Sequence, residues 1–243
     1  MTAAPLRVVT RPQPVIRVHL GCGSRRMEVG PEWVNADLSE TPATDVTFDC
    51  QDRWPFPDNS VAEVYACHVL EHLPRPRDLF REMWRCLLPG ASVLFRLPYG
   101  DHRAAMADVE HVRPWYPESF AFLQPGYAEA TGSTQHAGWA YPYGVVMTQL
   151  RLIPEMAPLV KTKFRRRVTV RLLPYLQNVV HELWAHLVPL KTPADLATWR
   201  AQRLGNAVPV TYMMYRHDLW GTKAGENPLE VIPLAEIATQ FNR

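Results

Sequence analysis

A chain of 243 residues, 47% hydrophobic and 21% charged, has the composition of a folded soluble protein rather than a disordered one, and room for one sizeable α/β domain or a domain with a large appendage. Its net charge of +2 is too small to call for nucleic acid as a partner. The four cysteines, Cys22, Cys50, Cys67 and Cys86, include no Cys-x-x-Cys pair, so neither a zinc site nor a disulfide framework is expected, and a reducing cytoplasm fits best.

Met1 to Pro14 places prolines and arginines where a secretory signal needs an apolar core, and reads as a loose arm. Val15 to Leu20 is a β-branched and aliphatic run that breaks into Gly21-Cys22-Gly23, the pattern of a buried strand ending in a turn whose backbone approaches a ligand. A nicotinamide-type fingerprint needs a third glycine where Arg26 stands, and there is no Gly-Lys-Ser/Thr phosphate loop. What remains is a glycine turn for a ligand without a pyrophosphate, or a purely structural strand-to-helix turn. About ten residues later Trp33 to Leu38 forms a second strand with Asp37 at its end, so the turn and a carboxylate come together at the carboxyl edge of two parallel strands, where open α/β sheets bind ligands. An acid that can hold both ribose hydroxyls, next to such a turn, suits S-adenosylmethionine.

Asp45 to Asp49 is a third candidate strand, Cys50 to Asn59 a proline-broken loop, and Val61 to Ala66 a fourth strand running into His68-Val69-Leu70-Glu71-His72-Leu73. Apolar residues at helical spacing predict a helix over Arg77 to Leu88, stopped by Pro89-Gly90, and Ala91 to Leu97 is the fifth strand. Strands alternating with helices or compact connections predict a parallel sheet.

Leu20-Gly21-Cys22-Gly23, Trp33-Val34-Asn35-Ala36-Asp37-Leu38, Pro55-Phe56-Pro57-Asp58-Asn59-Ser60, Val69-Leu70-Glu71-His72-Leu73 and Leu87-Leu88-Pro89-Gly90-Ala91 together resemble the successive motifs of class I S-adenosylmethionine-dependent methyltransferases. The likeness is to the type 11 methyltransferase domain of small bacterial and phage proteins, and it covers residues 15 to 120. It implies a Rossmann-like, mostly parallel seven-stranded sheet with one reversed strand near the edge. It also implies S-adenosyl-L-methionine as cofactor, with its methionine end against Leu20, Gly21, Cys22 and Gly23 and beside His68. The ribose would meet Asp37, flanked by Leu38, and the adenine Asp49 and Cys50. Two positions depart from the family pattern. His19 stands where most relatives carry an acid or amide that orients the cofactor, and the first crossover is short; both are expected in a non-catalytic cofactor-binding or partner-binding module with a degenerate fold, the alternative to an enzyme.

The segment after the fifth strand carries Asp101, His102 and His111. These three are the candidate bases for an acceptor that needs deprotonation, His102 and His111 first as the catalytic pair, with Glu71 and His72 in reserve. Each histidine has a simpler reading, His102 as solvated and His111 as a loop anchor. Asp108, Glu110 and His111 lack a second group at ligand spacing, so no metal is expected. Gln124 to Tyr143, with Tyr127, Trp139, Tyr141 and Tyr143, is either a lid over an acceptor or a ring-filled core beneath a loop. Val145 to Ile153 is the sixth expected strand and Val208 to Tyr215 the seventh, with a helical insertion over 154–206 between them and a tail to 243. Within the insertion lie a basic run, Lys161 to Arg167, and a broken amphipathic helix over Leu172 to Leu190. Packing on its own domain accounts for such a helix, and a homodimer contact is the next expectation. The expected partner is a small-molecule or glycan-like acceptor methylated on oxygen or nitrogen, with no membrane span.

Overall fold

The computed structural model describes residues 15–24, 33–132, 139–160, 162, 164–165, 168, 172, 176–202 and 210–214. The expected arm over 1–14, the first crossover over 25–32, most of the basic run and the tail beyond 215 lie outside these residues.

Eight strands form one sheet in the order β3-β2-β1-β4-β5-β7-β6-β8. They are β1 (Ile16–Leu20), β2 (Trp33–Asp37), β3 (Val46–Thr47), β4 (Val61–Cys67), β5 (Leu87–Pro98), β6 (Tyr143–Leu152), β7 (Val180–Pro189) and β8 (Val210–Met214). The pairs β2–β3, β1–β2, β1–β4, β4–β5 and β6–β8 are parallel, while β7 runs antiparallel to both β5 and β6. The first seven strands are thus the expected mostly parallel sheet with one reversed strand near the edge, and β8 extends it beyond β6.

The reversed strand is where the sequence reading needs correction. Val179, Val180, Leu183, Trp184 and Leu187 fall at helical spacing, yet 180–189 is a strand, and the seventh strand of the sheet is this segment rather than Val208 to Tyr215. The physical reason is burial on both faces: Val180, Leu183, Ala185 and Leu187 enter the main core, while Trp184 packs on the opposite side with Trp33, Tyr65 and Leu94. Leu183, Trp184 and Leu187 fit a helical period as readily as Leu183, Ala185 and Leu187 fit a strand, and over so short a run periodicity alone does not separate the two. The stretch 154–206 therefore holds a sheet strand as well as a 3-10 turn (Pro154–Met156) and helices at Ala157–Val160 and Pro193–Gln202.

Helix α1 (Pro76–Cys86) joins β4 to β5. Proline at its first position, Asp78 in the first turn and Arg85 in the last suit the polarity of the helix. Leu79, Phe80 and Met83 are buried against Val64, Ala66, Val93 and Phe95, each burial stabilising by about 1.5–3 kcal/mol. The helix ends at Cys86, and β5 begins at once, passing through Pro89 and a left-handed Gly90 (φ +77°) before regular pairing resumes at Ser92. Short helices α2 (Arg103–Ala107) and α3 (Pro117–Ala121) follow β5. Among the described residues, no helix is long and apolar enough to cross a membrane.

Candidate functional site

At the carboxyl edge of β1 and β2 the chain builds a locked turn. The amides of Gly21 and Cys22 both donate to Ala36 O, at 2.8 and 3.1 Å. The Gly23 amide donates to Asp37 Oδ2 at 2.7 Å, and the Ser39 amide to Asp37 Oδ1 at 3.0 Å. Asp37 therefore has one donor on each oxygen and, with two lone pairs per oxygen, can still accept from two vicinal hydroxyls. The loop after β2 clasps the turn from outside: Thr41 Oγ1 donates to Gly23 O at 2.7 Å, and Cys22 Sγ lies 3.7 Å from Thr44 Oγ1.

The two glycines are left-handed for different reasons. Gly21 (φ +67°) packs so close to Val69 that a Cβ would overlap its Cγ2. Gly23 (φ +56°) has open space where a Cβ would be, with no heavy atom within 4 Å among the described residues. Gly23 is exposed, so this space lies at the surface beside the turn. Leu38, 70% exposed, offers an apolar surface next to it.

The Phe48 amide donates to Asp37 O at 2.9 Å, which carries Asp49 and Cys50 to the same edge. Asp49 Oδ1 accepts from the Gln51 amide at 2.8 Å, and burial pushes the Cys50 thiol up to about 12, with Asp49 adding to the shift. His68, left-handed at φ +56°, follows β4 and donates its amide to Arg96 O at 2.8 Å. Its Nδ1 lies 3.1 Å from Glu71 Oε1 and its Nε2 3.6 Å from Glu182 Oε1. Burial alone would lower its pKa, but Glu182 and Glu71 more than offset that and raise it to about 9. Glu182 arrives on β7, so reading that strand as a helix hid it; strand alternation over 180–189 was the signal that could have found it.

The two candidate bases part company. His102 caps α2, its Nδ1 accepting from the Ala104 amide at 3.1 Å, and its ring lies 4.6 Å from that of His181. Burial first, then His181 and Arg103, lower its pKa. His111 sits beyond α2 with Nδ1 against Ala105 O at 2.9 Å and its ring 4.7 Å from that of His72. Its loop is stitched to the segment after β4, where Leu70–His72 form a 3-10 turn, the Val112 amide donating to Glu71 O at 2.7 Å and Arg113 to Pro74 O at 3.3 Å. Asp101 is engaged by the Tyr116 hydroxyl at 2.8 Å. Of the aromatic segment, Tyr143 fills the core, its hydroxyl donating to Phe80 O at 2.8 Å. Trp139 instead lies beneath the Arg77 guanidinium on the wall of a cavity of about 270 Å³ shared with Phe80, Arg113, Trp115 and Phe122.

The sequence profile of the methyltransferase domain family matches residues 18–95, from β1 through β5, about a third of the chain. The matched segment carries the glycine turn and Asp37 described above. No curated protein matches the chain. Among solved structures, the chain is similar to an S-adenosylmethionine-dependent methyltransferase from Archaeoglobus fulgidus at 17% identity, covering 72% of this chain and 86% of the other, with a TM-score of 0.49. It is similar to another from Mesorhizobium loti at 15% identity, 72% and 91% coverage and a TM-score of 0.38. A 16S rRNA (adenine(1408)-N(1))-methyltransferase from Catenulisporales acidiphilia aligns at 14% identity, 74% and 87% coverage and a TM-score of 0.39. With every score below 0.5, these likenesses add nothing to what the strand order already says.

Proposed function

We propose that the protein is a methyltransferase that moves the methyl group of S-adenosylmethionine to an oxygen or nitrogen of a small-molecule or glycan-like acceptor. The observation that carries the reading is the Asp37 carboxylate, fixed by the Gly23 and Ser39 amides at the end of β2 beside the glycine turn, with acceptor capacity to spare. Asp37 would accept from the ribose hydroxyls, Leu20 to Gly23 and His68 would border the methionine end, and Asp49 with Cys50 would meet the adenine. When bound, the cofactor supplies a sulfonium methyl, an electrophile that needs positioning more than activation.

The protein's own part is to hold the acceptor in line and, where the acceptor carries a firmly held proton, to take it. Of the two histidines, His111 suits that role: with Nδ1–H given to Ala105 O, Nε2 keeps its lone pair. His102 has its Nδ1 lone pair committed to the Ala104 amide, and serves α2 first. A small acceptor is supported by the cavity beside Trp139, where aromatic faces and two guanidinium groups would suit a flat or anionic molecule.

The rival reading, a module that binds the cofactor without turnover, is favoured by His19. It is buried, bonded through Nδ1 to Asn35 Oδ1 at 3.1 Å and packed on Tyr65, and stands where an orienting acid would. Incubation with methyl-labelled S-adenosylmethionine and fractionated cell extract separates the two. The enzyme reading expects label in the low-molecular-weight or glycan fraction; label confined to RNA or protein, or no transfer by a chain that binds the cofactor, contradicts it.

A further inference from the structure

We infer that Glu71, His72 and His111 form a binding site for a divalent transition-metal ion. One ligand atom from each lies within 4.8 Å of the other two. A tetrahedral site with bonds of about 2.0–2.1 Å has ligand atoms about 3.3 Å apart, so each pair closes by about 1.5 Å or less, within the reach of small side-chain rotations. Two imidazoles and one carboxylate are a donor set that zinc, cobalt, iron and manganese share, and it leaves positions open for oxygen ligands.

Three features mark a built site rather than a chance meeting. Glu71 is 1% exposed; one carboxylate oxygen faces His68 and the other has no hydrogen-bond partner among the described residues, an expensive arrangement for a buried carboxylate. His111 donates Nδ1–H to Ala105 O, which fixes its ring and leaves Nε2 as the ligating atom, the backing that metal-bound imidazoles ordinarily have. The two halves of the site, far apart in sequence, are tied by the Val112–Glu71 and Arg113–Pro74 bonds, and Asp108 Oδ2 stands 3.7 Å from His111 Nε2 as a further oxygen. The group that Asp108, Glu110 and His111 lacked in sequence is supplied by the 3-10 turn Leu70–His72 after β4.

The site adjoins the cofactor turn, because Val69, two residues before Glu71, is the side chain packed on Gly21. His111 Nε2 has one lone pair and serves either a proton or an ion. With an ion bound, the base role passes to the metal, which acidifies a coordinated hydroxyl whose proton leaves to water. This role rests on the methyltransferase reading and favours a hydroxyl acceptor; metal binding itself does not depend on it.

The test uses the untagged full-length chain, stripped with chelator and titrated with Co²⁺, then with Zn²⁺ as competitor. One equivalent of Co²⁺ giving visible ligand-field absorption, displaced by Zn²⁺, is expected. His72→Gln and His111→Gln, each with wild-type circular dichroism, should weaken binding on the order of a hundredfold. The histidines carry the test because His72 and His111 are half-buried, whereas Glu71 is fully buried. Absence of binding at 100-fold excess Co²⁺, or one equivalent that survives both histidine substitutions, overturns the site. A chain that binds Co²⁺ here yet ignores S-adenosylmethionine keeps the ion site and loses the proposed function.

Discussion

One added methyl group distinguishes the two glycines of the turn. On Gly21 it meets Val69 as well as a left-handed backbone, so Gly21→Ala should cost on the order of 2–4 kcal/mol in urea unfolding. On Gly23 it meets no described heavy atom and costs only the backbone penalty of about 1–2 kcal/mol, but it adds bulk to the turn that the proposed cofactor must approach. Gly23→Ala should therefore stay folded while losing at least about tenfold in cofactor affinity; a variant that binds as the wild type does would assign the open space to something else. Asp37→Ala removes a charged acceptor and should weaken binding by roughly tenfold to a hundredfold, or about 1.5–3 kcal/mol. Its effect on folding should stay below about 1 kcal/mol, because the Gly23 and Ser39 amides it releases are solvent-accessible. Unchanged affinity in a folded Asp37→Ala protein would mark the carboxylate as a turn-former alone.

Among the elements, β7 does the most that its sequence conceals. It inserts between β5 and β6 and brings Glu182 to Arg96, whose Nη2 lies 3.1 and 3.2 Å from the two carboxylate oxygens in a nearly solvent-free setting. The Trp184 indole also donates to Glu182, and the guanidinium groups of Arg96 and Arg151 lie over the Trp184 ring. Burial would raise the Glu182 pKa, but His68 and Arg96 overcome it and hold the carboxyl down at about 2. Glu182→Ala should leave Arg96 buried and uncompensated, costing roughly 3–5 kcal/mol of stability by chemical denaturation; a loss under about 1 kcal/mol would mean water reaches the pair. On the same strand, His186 is held by Ser92 Oγ at 2.8 Å, and burial pushes its pKa down to about 4 from an ordinary 6.5. As pH falls, the unfolded chain takes up this proton first. Its contribution is thus complete above about pH 6.5 and erodes toward pH 4 by up to roughly 3 kcal/mol. His186→Gln should flatten that part of the stability profile, and an unaltered slope would place the acid sensitivity elsewhere. The helical spacing of Val179, Val180, Leu183, Trp184 and Leu187 masked the alternation that sets Leu183, Ala185 and Leu187 against Glu182, Trp184 and His186, whereas β1, β2 and β4 run directly into glycine, acid or histidine.

Across the whole molecule, the sheet brings the glycine turn, Asp37 and His68 to the carboxyl edge of its parallel strands. Gly23 and Asp37 could be paired from sequence because adjacent parallel strands leave their carboxyl ends side by side. His111 could be placed only on the right segment, since its meeting with Glu71 and His72 depends on how the loop after β5 folds back onto the 3-10 turn after β4, and on a hydrogen bond between main-chain atoms that no side-chain pattern encodes. The cap made by His102 was hidden for the same reason: α2 is five residues long and has no amphipathic period. The central claim, that this edge holds S-adenosylmethionine, is tested most directly by calorimetric titration of the full chain with S-adenosylmethionine and with its demethylated product, alongside Asp37→Ala. Saturable one-to-one binding of both ligands, weakened tenfold or more in the variant while its unfolding curve is nearly unchanged, is the predicted result; a folded wild-type chain that takes up neither ligand at millimolar concentration would contradict the account.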